Sequence, residues 1–170
     1  MELSIVPENM AAIQAAFTAA PDITLKHLRV AINECLLLAQ REVGERTPTG
    51  ANQLLRKSIF SAEAVEFAKP VPGGLMGTVG TSLNYAIPVE LGTQPHFPPL
   101  APLEDWVVAK LGIERDKAAG VALSIARKIA HHGTQGAFMF RDGLQAIQPY
   151  VDARLQRAAE DALAEIGGMA

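Results

Sequence analysis

The residues of this chain that could do chemistry are few: four histidines, one cysteine, and some short acidic and glycine pairs. His131-His132 is the most inviting. Adjacent residues on a helix point about 100° apart, so two neighbouring imidazoles cannot grip one metal from a shared face; helical zinc sites use a four-residue spacing. The pair reads as a solvated helix end. His96 sits among prolines with no acid beside it in sequence, and His27 lies between Lys26 and Leu28 on the outer side of a helix. Cys35 would be a nucleophile only as a thiolate. No neighbouring charge would hold it ionised, so it reads as a buried structural thiol. Glu63 with Glu66, or Glu104 with Asp105, could be carboxylate pairs, but surface solvation is the commoner use of such pairs. Gly73-Gly74 with Gly77 and Gly80 loosely resembles a phosphate cradle, yet it lies in a hairpin and not before a helix. Neither a G-x-S-x-G elbow nor a G-x-x-x-x-G-K loop is present. With no convergent nucleophile, base and oxyanion donor, the expectation is a protein that is not an enzyme, with no catalytic residue, cofactor or metal. Arg127-Lys128, with His131-His132 beyond, could touch phosphate, which makes Arg127 and Lys128 the candidate DNA-facing residues. The negative end of a helix already favours cations there.

The elements that position these residues are read from apolar spacing. Pro7–Ala20 reads as a short helix ended by Pro21, with Met10, Ile13, Ala16 and Phe17 on one face. Asp22 then caps a long helix near Ile23–Arg46, whose stripe is Leu25, Leu28, Ile32, Leu36, Ala39 and Val43. Thr47-Pro48-Thr49-Gly50 breaks it. Leu54–Phe67 and Leu75–Thr81 read as the strands of an antiparallel hairpin, turning through Lys69–Gly74. Pro88 makes Leu83–Gly92 an edge or a short turn. Four prolines between Thr93 and Pro102 predict an extended loop. Leu103–Leu111 and Glu114–His132 follow as helices, the second with Ala118, Val121, Ile125 and Ile129 inward and Gly133 as its stop. A last helix lies within Asp142–Ile166, kinked at Pro149 or beginning there.

The order predicts an α+β fold, with a long N-terminal helix and a C-terminal helix packed on a small antiparallel sheet and a helical segment inserted. At 170 residues the chain fits one domain. Within it, 1–21 is a helical arm, 22–100 the helix, hairpin and proline loop, 101–133 the helical insertion and 134–170 the last helix. Hydrophobic residues at 49% and charged residues at 19% are ordinary globular composition. A net charge of −3 argues against a strongly basic nucleic-acid binder. One cysteine makes no internal disulfide, and 5% aromatics leave few stacking platforms. No run reaches the ~20 apolar residues of a membrane helix, and the first residues lack the positive start of a secretory signal. Cytosolic synthesis without a membrane partner is therefore expected.

Two segments carry a resemblance to a known family. The first is Pro48-Thr49-Gly50 followed by Leu54-Leu55-Arg56-Lys57-Ser58-Ile59; the second is Tyr85-Ala86-Ile87-Pro88-Val89-Glu90-Leu91-Gly92-Thr93. Together with Gly133-Thr134 and Phe138-Met139-Phe140, they resemble the tail-completion and neck proteins of long-tailed bacteriophages, the minor tail protein Z-like family, over about Leu25 to Ile166. Trp106–Ala130 is longer than the connection in minimal members, and the helix before Pro21 reads as an extra arm. The resemblance implies a virion component, assembled in the bacterial host cytoplasm. It would act as a ring of identical copies, a hexamer being one size, between the tail tube or terminator and the head connector, with genomic DNA passing non-specifically. It gives Pro48, Gly50, Arg56, Ser58, Tyr85, Glu90, Gly92 and Thr93 structural roles. Physically, Gly50 frees the chain to leave the helix, Arg56 and Glu90 would pair across the sheet, Gly92 would supply a backbone conformation other residues avoid, and Tyr85 would anchor on the sheet. Two other readings stand beside it: a head-tail adaptor or tail terminator of similar build, and a small enzyme or ligand-binding domain using His96, Tyr85 and Glu90.

Overall fold

The computed structural model describes residues 10–169. The element order is α1 (Met10–Arg46), α2 (Leu54–Ile59), a 3-10 turn at Ala62–Ala64, β1 (Val65–Val71), β2 (Gly74–Val79), α3 (Ala86–Leu91), β3 (Gly92–Thr93), α4 (Leu100–Leu111), α5 (Arg115–His132), β4 (Thr134–Gln135) and α6 (Met139–Gly167). The fold is α+β and mostly helical, with a long helix near each end of the chain and a small antiparallel hairpin. Among the described residues the sheet content is two separate two-stranded pieces, β1–β2 and β3–β4. The chain divides into two compact units, one of residues 1–38, 66–78 and 147–170, the other of 39–65 and 79–146.

In the first unit, α1 and α6 run antiparallel, as two distant pairs show. Lys26 Nζ donates to Glu165 at 2.7 Å and Arg154 Nε to Glu34 at 2.5 Å. Small buried residues, Ala31 and Cys35 on α1 and Ala158 and Ala162 on α6, line the helices' inner sides. Cys35 lies in the core itself, as the buried thiol that the sequence predicts. The hairpin joins this unit through Asn33, whose Oδ1 accepts the Ala68 N–H at 2.8 Å. A Cβ on Gly77 would collide with the Leu36 side chain, so Gly77 lets the strand lie close to the helix.

The structure departs from the sequence expectation at five places. Pro21 does not end a helix: α1 runs through it. The alanines before it propagate the helix well, and an unbroken helix keeps Ala16 and Ile23, two turns apart, both buried. The expected start of the first helix at Pro7 lies outside the described residues. Leu54–Ile59 is helical rather than a strand, because Leu55 and Ile59, four apart, both enter the core with Val43, Ala86 and Met139. The strand itself spans Val65–Val71, so only Pro72-Gly73 forms the turn of the hairpin. Ala86–Leu91 is a helix in spite of Pro88, which stands in the first turn, where no N–H is needed. α6 continues through Pro149 and begins earlier than expected, at Met139. The remaining helices fall within a few residues of expectation. α5 buries Ala118, Ala122 and Ala126, with Val121 and Ile125 packed against Val107 of α4 and its neighbours.

Candidate functional site

The family-like residues lie in the second unit, and its centre is Glu90. The main-chain carbonyls of Val89 and Glu90 accept the N–H groups of Ala137 and Phe138 at 2.8 and 3.1 Å. The Glu90 carboxylate then accepts the Phe140 N–H at 3.0 Å and the Arg141 N–H at 3.1 Å. These are first-turn donors of α6, which have no partner within the helix. A carboxylate at this end also meets the positive pole of the helix. Glu90 is therefore a cap supplied from another element.

Beside it, Gly92-Thr93 and Thr134-Gln135 pair antiparallel, Gly92 against Gln135 and Thr93 against Thr134. The Thr93 Oγ1 accepts the Thr134 N–H at 3.1 Å and lies 3.0 Å from the Thr134 hydroxyl. Gly92 and Gly133 have φ of 82° and 67°, a region that favours glycine. A Cβ on Gly92 would strike the Thr134 carbonyl oxygen, one on Gly133 the Thr93 oxygen, and one on Gly136 the Glu90 oxygen. Phe138, the residue before α6, also has positive φ, 49°, with the Arg141 guanidinium 3.8 Å from the centre of its ring. The three glycines let two backbones interlock at distances no side chain permits.

The expected Arg56–Glu90 pair does not form. Arg56 is on α2 and lies over the Phe60 ring at 5.8 Å, while both Glu90 oxygens hold α6. Ser58 works through its hydroxyl. It donates to the Leu55 carbonyl at 2.8 Å and lies 2.7 Å from the Thr81 Oγ1, which accepts the Leu83 N–H at 3.2 Å. This chain of bonds ties α2 to the segment that leads into α3.

Tyr85 lies at the first end of α3 and not on a sheet; its ring is half exposed. Pro48, Gly50 and Tyr85 line one cleft of about 440 Å³, with Trp106 and Asp105 across it. Pro48, Tyr85, Thr93 and His96 line an adjoining groove of about 380 Å³, with Pro98 and Ile129. A third groove, also about 380 Å³, holds Glu90 with Leu83, Ile87, Leu91 and Phe140. His96 and Tyr85 thus share a groove that does not include Glu90. Arg127 and Lys128 are exposed on α5. Among the described residues no three His, Cys, Asp or Glu side chains are grouped to hold a metal ion, and no helix is long and apolar enough to cross a membrane.

The ionisable groups that depart from their usual ranges lie outside these grooves. The Arg154 guanidinium bonded to Glu34 holds that carboxyl below the usual range. Lys26, then His27 at 2.7 Å, do the same for Glu165. Burial pushes the Cys35 thiol up. His27 is thus paired, not a free outer residue. The sequence reading missed the glycine interlock, although Gly92-Thr93 and Gly133-Thr134-Gln135-Gly136 carried its signal as two matching Gly-Thr steps. No protein-family model, curated protein or solved structure matches the chain.

Proposed function

We propose that this protein is a structural part of a bacteriophage neck, completing the tail and helping to join it to the DNA-filled head as a ring of identical copies. The reading rests on the resemblance carried by the Pro48–Ile59 and Tyr85–Thr93 segments. The observation that supports it most is the work Glu90 does: both its carboxylate oxygens cap α6. Its motif neighbours Gly92 and Thr93 lock against Gly133 and Thr134. Residues distant in sequence serve to hold a shape, as an assembly protein requires. The partners in this reading are further copies, the tail tube or terminator, the head connector and DNA passing through. An acidic chain suits that passage, because a strongly basic lumen would hold DNA by its phosphates.

The test is the native mass across a concentration series, with negative-stain imaging of large species. A closed ring with a central hole is expected. Should the protein stay monomeric, binding to purified tails decides, and a monomer that ignores tails overturns the proposal. One observation favours a second reading, a ligand-binding domain: His96 and Tyr85 line the same groove. That reading requires an activity or a ligand lost in H96A without loss of folding.

A further inference from the structure

Charge is segregated along this chain. From Lys117 to Arg141 the sequence carries Lys117, Arg127, Lys128 and Arg141 and no acid, although acids outnumber bases overall, 18 to 15. At the end of α5, Arg127, Lys128, His131 and His132 are all exposed. Their spacing forms two neighbouring columns at i and i+4 on one side of the helix. Among the described residues neither Arg127 nor Lys128 has a carboxylate partner. Ile129, in the same turn, lines the apolar groove shared with Pro48, Tyr85, Val89 and Pro98.

The last turns of α6 carry the opposite pattern. Glu160 and Asp161 are exposed and join no ion pair among the described residues; Glu160 accepts a bond only from Gln156, at 3.0 Å. Both stand about two turns before the end of α6, whose last turn holds no base. Leu163, one turn beyond Glu160, is 68% exposed.

We infer that these two surfaces meet between copies of the chain. The last turns of α6 in one copy dock on the end of α5 in another, with Glu160 and Asp161 facing Arg127 and Lys128 and Leu163 entering the groove beside Ile129. Charge and apolar group stand within one helical turn of each other on both surfaces, so one contact engages both. Exposed ion pairs contribute little each; their part is to select the surface and speed encounter, while Leu163 supplies apolar burial. The contact joins two different surfaces, so it repeats from copy to copy and closes into a ring or runs on as a filament. It rests on the self-association in the proposed function and not on the assignment to a virion.

Sedimentation velocity over a concentration series tests it with four proteins: wild type, R127E/K128E, E160K/D161K and L163A. Each variant is expected to weaken self-association by about tenfold or more, with unchanged thermal melts, since all five positions are exposed. Mixing the two double variants is expected to restore association, because one of the two possible contacts then has both its charges reversed. Double variants that associate like the wild type overturn the inference. So does a wild type that is monomeric at every concentration, an outcome the neck reading survives if the monomer binds tails. Random-sequence duplex DNA is the remaining probe. Binding lost in R127E/K128E while self-association stays intact assigns the α5 cations to phosphate and overturns the contact between copies.

Discussion

At the scale of single residues, the most constrained are Glu90 and the glycines around it. Glu90→Ala strips two first-turn donors of α6 of their acceptor. Loss of a helix cap costs about 1 kcal/mol, within a range of roughly 0.5–2, and urea melts should show that loss with the slope unchanged. Glu90→Gln keeps one acceptor oxygen and should fall between the two. Gly92→Ala and Gly133→Ala are expected to be worse than any cap deletion. Each adds a Cβ where a backbone carbonyl already stands, at a φ that L residues rarely adopt. Near-wild-type melts for either variant would show that the interlock relaxes freely. Cys35 gives a different prediction. It is buried, and its thiol is pushed up by that burial, so maleimide labelling should be slow in the native protein and fast in denaturant.

At the scale of elements, the prolines carry the clearest lesson. A proline inside a helix removes one hydrogen bond and costs about 3 kcal/mol relative to alanine. Because α1 is continuous through Pro21, Pro21→Ala should raise stability by about 1–3 kcal/mol, which thermal melts would show. The pairing of α1 with α6 makes a second prediction. Glu34 and Glu165 have carboxyl groups held below the usual range by Arg154 and by Lys26 with His27. A lowered folded-state value means that the contribution is present above the unfolded value, about 4.3, and is lost as pH falls through the folded one. Stability should therefore fall in acid below about pH 4, and less steeply in E34Q/E165Q than in the wild type, as melts across that range would show. Periodicity made α4, α5, α6 and most of α1 legible in the sequence, since each shows its stripe over several turns. It failed for α2 and α3, which are six residues each. Over six residues an apolar pair four apart cannot be told from strand alternation.

At the scale of the whole molecule, the question is what the two long helices and the motif-bearing unit present to other molecules. Several large apolar residues are exposed, among them Phe17, Ile87, Leu91 and Leu163. Scattered exposed residues of this kind are normal on a monomer. The last turns of α6 differ because an apolar side chain stands beside unpaired acids. If copies associate through this surface, raising the salt concentration should weaken the complex, because screening removes the selective charges. A complex indifferent to salt would point to an apolar contact elsewhere, such as the groove beside Glu90.

The sequence by itself determined the α+β class, the long helices, the hairpin and the position of the proline loop, because each depends on local pattern: apolar period, turn residues and caps. It also marked Glu90, Gly92 and Thr93 as residues to follow. Only the tertiary structure decided what they do. Glu90 reaches a helix that begins some fifty residues later, and Gly92 meets Gly136 and Thr134 across the same gap. A bond between residues so far apart leaves no periodic trace in the chain. The donors it satisfies, the free N–H groups at the start of α6, exist only once that helix has formed.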